Sequence, residues 1–181
     1  MQQTLLMPAP TAADSAAELT EAPLSAAELR RAWKSLKSDP EDRVSARLLG
    51  AGLADIPYRD AFICATVCDP GGDPDFQEKP ASVNGKFMLS TALGEWGPAY
   101  AQLDMLRTIA GACSPEHYAA VVAVAAYIAW FCGMGGQARV WCDQALAADG
   151  EYSLAQLVST ALSAHVDPPW ISERRAHDWA A

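Results

Sequence analysis

Arg59 and Asp60 are adjacent residues of opposite charge in a segment with helical character. Neighbouring side chains on a helix point to different faces, so we expect each charge to have its partner elsewhere in the fold. One interpretation is a structural ion pair to a neighbouring helix. The other is a polar pocket that Arg59 and Asp60 form with His117, which would suit a small-ligand-binding protein or an enzyme. The sequence leaves both open.

The glycine-rich segment Gly133-Met134-Gly135-Gly136 suggests a loop that cradles phosphate. A dinucleotide loop needs glycines at G-x-G-x-x-G spacing after a strand, and a P-loop needs glycine followed by lysine and serine or threonine. Here a helical segment comes first, and no such lysine follows. The pattern therefore predicts a helical hairpin, in which a left-handed glycine ends the first helix.

The five cysteines are an odd number, and residues 1–23 contain no lysine or arginine that would begin a secretory signal. Reduced thiols in a cytoplasmic protein are the expected state. Cys64 and Cys68 lie four residues apart and would supply two metal ligands, whereas a structural zinc site needs four. We expect the cysteines to pack in the core and predict no metal and no cofactor. They are Cys64, Cys68, Cys113, Cys132 and Cys142.

The common hydrolase and metalloprotease motifs are missing from the sequence: there is no Gly-x-Ser-x-Gly and no His-Glu-x-x-His. Paired acids such as Asp73 with Asp75 fall in a predicted loop, where solvation explains them better than acid–base catalysis. We predict no catalytic residue, and an enzyme is the less favoured interpretation.

The net charge of −9 disfavours nucleic acid as a partner, because an acidic protein repels the phosphate backbone. The densest basic group, Arg30, Arg31, Lys34 and Lys37, has helical spacing. It is expected to be a solvated helix face. A nucleic-acid-associated accessory role through this face is kept as an alternative.

Two of the six tryptophans, Trp170 and Trp179, lie in a C-terminal segment (168–181) that we predict to be a tail or a short helix. Exposed aromatic side chains there would suit a protein–protein interface. Packing of the same side chains onto the chain's own surface is an equal alternative.

The elements that must position these residues are helices, since alanine is abundant and β-branched runs are scarce. We predict an all-α bundle of seven to eight helices over residues 24–167, preceded by a disordered tail over 1–23. Ser25 and Glu28 form a capping box that begins the first helix. Asp39 and Pro40 are expected to begin the second, with Val44, Leu48 and Leu49 facing inward.

The longest uncharged run, Tyr118–Gly136, is long enough to cross a bilayer. Its alanines, its closing glycines and the absence of preceding basic residues favour a buried central helix instead. A loop is predicted over 69–82, and helices over 84–93 and 99–112. Two amphipathic helices follow the glycines, with apolar residues at Ala138, Trp141, Cys142, Ala145 and Leu146, and then at Leu154, Leu157, Val158, Ala161 and Leu162.

Residues 40–170 resemble the C-terminal helical part of an actinobacterial family, domain-of-unknown-function family 4192. The resemblance rests on Arg59-Asp60 and on Ala126, Ala129-Trp130, Gly133, Ala138, Ala145-Leu146, Asp149, Tyr152, Leu154-Ala155 and Pro168-Pro169. Longer members carry an α/β portion before these helices, and nothing in this sequence corresponds to it. The same hairpin is similar to a tetratricopeptide repeat, of which one copy is found.

Taken together, the sequence predicts a non-enzymatic helical interaction or accessory module with a protein partner and possible homo-oligomers, and no membrane segment. The candidate ligand or partner residues are Arg59, Asp60, His117, Trp170 and Trp179. The alternatives are the small-ligand pocket and the nucleic-acid role described above.

Overall fold

The structure, a computed structural model, describes residues 6–10, 24–67, 73–76, 97–168 and 171. Over these residues the chain forms seven helices and no strand, which confirms the all-α prediction. The predicted helix over 84–93 lies outside the described residues, as does most of 168–181. The helices are α1 (Ala26–Ser38), α2 (Arg43–Leu53), α3 (Ile56–Val67), α4 (Gly97–Ala112), α5 (Pro115–Phe131), α6 (Gly135–Ala148) and α7 (Ser153–Ser163).

Helix α5 is the centre of the fold. Of its 17 residues, 12 are buried, and its apolar residues lie on all sides. Helices α2, α3, α4, α6 and α7 all pack against it. The buried central helix predicted from the Tyr118–Gly136 run is thus confirmed. None of the described helices has both the length and the apolar character needed to cross a membrane.

Small residues let the helices approach one another closely. Gly50 of α2 lies against Cys113, at the end of α4: a Cβ atom added to Gly50 would stand 2.6 Å from the Cys113 Cβ. That distance is far inside van der Waals contact, so any larger residue at position 50 would push α2 away from α4. Alanines on α5 serve the same purpose for its neighbours.

The glycine segment forms the predicted helical hairpin between α5 and α6. Gly133 has φ 78°, the left-handed conformation. Its N–H donates to the Trp130 carbonyl at 2.9 Å, and the Met134 N–H donates to the Ala129 carbonyl at 2.8 Å. These two bonds form a Schellman motif, which satisfies the carbonyls at the end of α5. The similarity of this hairpin to a tetratricopeptide repeat stays a prediction.

Two local predictions about α2 are wrong. Asp42, not Asp39, caps the helix: its carboxylate accepts from the Ser45 N–H at 3.1 Å. Asp39 instead accepts a hydrogen bond from the Asp42 N–H within a turn. Val44, expected to face inward, is 69% exposed, because α2 buries Ala46, Leu49 and Leu53 instead.

Leu157 of α7 is also wrongly predicted to be in the core, since it is 61% exposed. Helix α7 is the last described helix and packs against α5 and α6 only on one side. Its buried stripe, Leu154, Ala155 and Val158, is narrower than the sequence periodicity indicates.

The disordered tail over 1–23 stays a prediction, and residues 6–10 are its described part. Met7 is 2% exposed and belongs to the hydrophobic core. The tail prediction followed from composition and the lack of periodicity, and neither property detects a single side chain that docks onto a distant helix.

The two glycines around the α5–α6 turn give a matched stability test. In the Gly133→Ala variant, the alanine Cβ would clash with the backbone in the left-handed conformation. We therefore expect a loss of about 1–2 kcal/mol in the free energy of unfolding. In Gly136→Ala, where an added Cβ meets nothing within 4 Å inside a helix, we expect no loss or a gain of a few tenths of a kcal/mol. Urea unfolding of both variants measures the two free energies of unfolding. Equal effects of the two substitutions would contradict the assignment of Gly133 as the left-handed residue of the turn.

Candidate functional site

Arg59 and Asp60 pair with each other, contrary to the expectation that each has its partner elsewhere. The Arg59 Nε donates to the Asp60 Oδ1 at 2.9 Å, and the Arg59 Nη2 lies 2.9 Å from the same oxygen. The side chains are 13% and 23% exposed. The long Arg59 side chain bends back toward Asp60. The argument from helix faces does not consider this conformation.

Tyr152 completes the Arg59 site. Burial lowers the pKa of Arg59, but its hydrogen bonds to Tyr152 and Asp60 raise it, and the net shift is upward. Tyr152 is the N-cap residue of α7 and packs against the core. The Arg59–Asp60 pair therefore ties the first turn of α3 to the α6–α7 turn, which is a structural role.

His117 lies in the first turn of α5, where its Nδ1 is 2.8 Å from the Ser114 Oγ. Burial lowers the pKa of His117, opposed by the nearby charge of Glu116. The hydrogen bond of Ser114 to Glu116 lowers the pKa of that carboxyl. Ser114 is the N-cap residue of α5, but its side chain makes no capping hydrogen bond.

The three predicted pocket residues do not share a contact. The partners of His117 are Ser114 and Glu116, whereas those of Arg59 are Asp60 and Tyr152. A ligand pocket built from Arg59, Asp60 and His117 together thus gains no support from the geometry. The other two candidate residues, Trp170 and Trp179, lie outside the described residues.

The four described cysteines are buried, as expected for core packing: Cys64, Cys113, Cys132 and Cys142. Burial raises the pKa of Cys132 to about 12 and that of Cys142 to about 11. Such thiols stay protonated near neutral pH and are poor nucleophiles and metal ligands. Within the described part of the chain, no group of three metal-ligating side chains is found. Cys68 is outside it.

A groove of about 380 Å³ lies between α1 and α4. Both helices pack against α2, and the side chains of the described residues leave the space between them open. The floor consists of Trp33, Leu36 and Gln102, each 5% exposed or less. The rim consists of Lys37, Pro40, Ala101, Asp104, Met105 and Thr108.

Polar contacts fix the two walls of this groove. The Trp33 Nε1 donates to the Asp73 Oδ1 at 2.8 Å, and the Lys37 Nζ donates to the same oxygen at 2.8 Å. These contacts with Lys37 and Trp33 lower the pKa of Asp73. On the α4 wall, the buried Gln102 accepts a hydrogen bond from Thr66 of α3. These hydrogen bonds hold Trp33 and Gln102 of the floor and Lys37 of the rim in place.

Acidic side chains offset part of the positive charge on the basic face of α1. Asp73 neutralises Lys37, and the charge of Arg31 contributes to the lowered pKa of Glu28 after the larger effect of the Ser25 hydrogen bonds. A surface that binds nucleic acid needs uncompensated positive charge. The mixed charges of this face are instead typical of a solvated helix.

Residues 6–10 form a second feature that sequence reasoning missed. The Met7 N–H donates to the Gln144 Oε1 at 2.9 Å, and the Gln144 Nε2 donates to the Met7 carbonyl at 3.1 Å. The Tyr118 hydroxyl donates to the same carbonyl at 3.2 Å. The one sequence signal was the apolar run Leu5-Leu6-Met7 in an otherwise polar segment.

Residues 3–169 match the model of a family described as a domain of unknown function (DUF4192). The match covers most of the chain, so the chain belongs to this family. It also begins well before the 40–170 region on which the resemblance rests, and it includes the docked residues 6–10. An actinobacterial origin stays a prediction. No curated protein and no solved structure matches the chain.

The Arg59–Asp60 pair can be tested by substitution. Arg59→Met leaves the Asp60 carboxylate in a half-buried site without its partner, and we expect a loss of about 2 kcal/mol in the free energy of unfolding, the usual value for hydrogen bonds to charged groups. The double variant Arg59→Met, Asp60→Leu should recover part of that loss, because no unpaired charge remains. Urea unfolding checks both. A single variant as stable as the wild type would contradict the pairing.

A second prediction concerns pH. Because burial lowers the pKa of His117 below its usual 6.5, the unfolded chain binds the proton at a higher pH than the folded chain. The free energy of unfolding should therefore fall as the pH drops from 7 to 5. His117→Gln should lose less stability over this range than the wild type, measured by urea unfolding at each pH. The exposed His165 provides the control, and His165→Asn should keep the wild-type pH dependence.

Proposed function

We propose that the chain is a non-enzymatic binding protein whose ligand is a small, largely apolar organic molecule held in the α1–α4 groove. The observation that carries this proposal is the groove itself, with its largely apolar floor and a rim that contains Lys37, Asp104 and Thr108. Small-molecule sites in proteins typically have volumes of about 300–1,000 Å³, and a few polar groups fix the ligand among apolar walls. The groove, at about 380 Å³, lies within this range.

The rim defines the chemistry of the ligand. The Lys37 ammonium forms one hydrogen bond with Asp73. Because an ammonium has three N–H donors, Lys37 can also donate to an acceptor on the ligand. Met105 and Leu36 offer apolar surface below it, and methionine adapts well to varied shapes. The best fit is a flat apolar body with one carboxylate or sulfonate group directed toward Lys37.

Binding is favoured over catalysis by the state of the described reactive groups. The Cys132 and Cys142 thiols are buried and have raised pKa values. His117 is hydrogen-bonded to Ser114, and Arg59 is occupied by Asp60 and Tyr152. None of these groups lines the groove, whose own charged rim residues, Lys37 and Asp104, lie beside opposite charges.

A protein partner stays a prediction that does not depend on the groove. The nucleic-acid alternative loses support, because Asp73 and Glu28 offset the basic face of α1. Cytoplasmic location and homo-oligomers stay predictions.

The groove is tested with 8-anilinonaphthalene-1-sulfonate, an aromatic sulfonate that becomes fluorescent in apolar sites. We expect saturable binding to one site. Ala101→Trp places an indole in the groove and should weaken binding at least tenfold. Fluorescence titration of the native protein measures both affinities.

The matched control is Ala147→Trp, which adds the same side chain at an exposed position of α6, away from the groove. Its affinity for the probe should equal that of the wild type. If both tryptophan variants bind the probe as the wild type does, the groove is not its site and the proposed function fails.

A further inference from the structure

The contacts of Met7 are those by which proteins recognise an extended peptide. Both backbone polar groups of this one residue are bonded by side chains of the helical domain, the N–H and the carbonyl by Gln144 and the carbonyl also by Tyr118. In the common modes of peptide recognition, backbone hydrogen bonds hold the segment and a side-chain pocket selects its sequence. Here a side-chain amide supplies the backbone bonds.

The pocket beneath takes the methionine side chain. Met7 is 2% exposed, while Leu6 beside it is 66% exposed and contributes little to the contact. Methionine is unbranched and flexible, so it fills an irregular gap between helices. The segment is therefore anchored by one side chain.

Proline at the next position fits the same site. The Pro8 ring packs over Gly111 of α4, with its Cγ 3.3 Å from where a Cβ of Gly111 would stand. Proline restricts the preceding residue to extended conformations, so Met7 loses less freedom on docking. It also has no N–H group that would need a partner in the cleft.

None of these contacts depends on the covalent link to the helical domain. Residues 11–23, 13 residues in all, connect Pro10 to Leu24. Gln144 and Tyr118 meet Met7 across sequence separations of 137 and 111 residues. The same segment presented by another polypeptide would make the same bonds.

We propose that the cleft formed by Gly111, Tyr118 and Gln144 is a peptide-binding site for an extended segment of a partner protein that carries methionine followed by proline. Residues 6–10 occupy this cleft in the free chain as a tethered copy of that ligand. Because residues 6–10 belong to the same chain, a free peptide of the same sequence competes poorly until they are displaced.

The experiment uses the full chain and a fluorescein-labelled peptide with the sequence of residues 3–10 (QTLLMPAP). In the Met7→Asp variant the tethered segment no longer fits the apolar pocket, and fluorescence anisotropy should show saturable peptide binding. The wild type should bind the peptide at least tenfold more weakly. In Met7→Asp, Gln144→Ala the loss of the amide bonds should lower the affinity about tenfold relative to Met7→Asp.

The control peptide QTLLSPAP lacks the methionine and should not bind. Equal binding of the two peptides, or no binding to Met7→Asp, would overturn the proposal. Dimers of the wild type that depend on concentration and disappear in Met7→Asp would assign the cleft to a second copy of the chain, which also overturns the claim of a partner peptide.

A second measurement covers the case in which Met7→Asp fails to fold. A protease site placed between Ala16 and Ala17 of the wild type allows the segment to be cut while it is docked. The cut protein should stay folded, judged by circular dichroism, and exchange its segment for the labelled peptide. A cut protein that unfolds as the segment leaves would show that residues 6–10 are only a part of the core.

Discussion

The structure depends on one constraint, which is that helix α5 is apolar on every side. Burying every face of such a helix stabilises the fold. An apolar side chain left in water loses about 25 cal/mol of this stabilisation per Å² of its exposed surface. Helices α2, α3, α4, α6 and α7 supply this cover. Near the start of α5, beside Tyr118, the cover includes Met7 from a segment with no regular secondary structure.

Several polar side chains lie where the covering elements meet and form hydrogen bonds across the junction. Thr66 and Gln102 join α3 to α4 inside the core. Arg59 joins α3 to the α6–α7 turn, and Gln144 joins α6 to residues 6–10. Because a buried polar group without a partner is costly, these bonds fix how the helices are placed relative to one another. Apolar packing alone tolerates several arrangements.

The elements that could be predicted from the sequence are those whose physics is local. The capping box of Ser25 and Glu28 is present, with the Ser25 N–H 2.8 Å from the Glu28 carboxylate, because its partners are three residues apart. The Gly133 turn is present because a glycine that follows an apolar helix readily adopts the left-handed conformation that ends the helix. The burial of α5 follows from its uniform composition.

The features that could not be predicted depend on contacts distant in sequence. Arg59 pairs with Asp60 and also reaches Tyr152, which lies 93 residues further along the chain. Val44 is exposed because the position of α2 against α4 is set by the close approach of Gly50 to Cys113. The groove exists because α1 and α4 both pack on α2 and leave a space between them. No sequence pattern within either helix indicates this space. Met7 docks across 137 residues of sequence separation to Gln144.

The central claim is that the covering of α5 extends to residues 6–10, so that the docked segment is a defined part of the native state. Amide hydrogen exchange followed by NMR tests it most directly, since a hydrogen-bonded and buried N–H exchanges only when its site opens. We expect the Met7 amide to be strongly protected in the wild type and to lose that protection in Gln144→Ala, while the amides of α5 stay protected in both. A Met7 amide that exchanges at the rate of an unstructured peptide in the wild type would contradict the account.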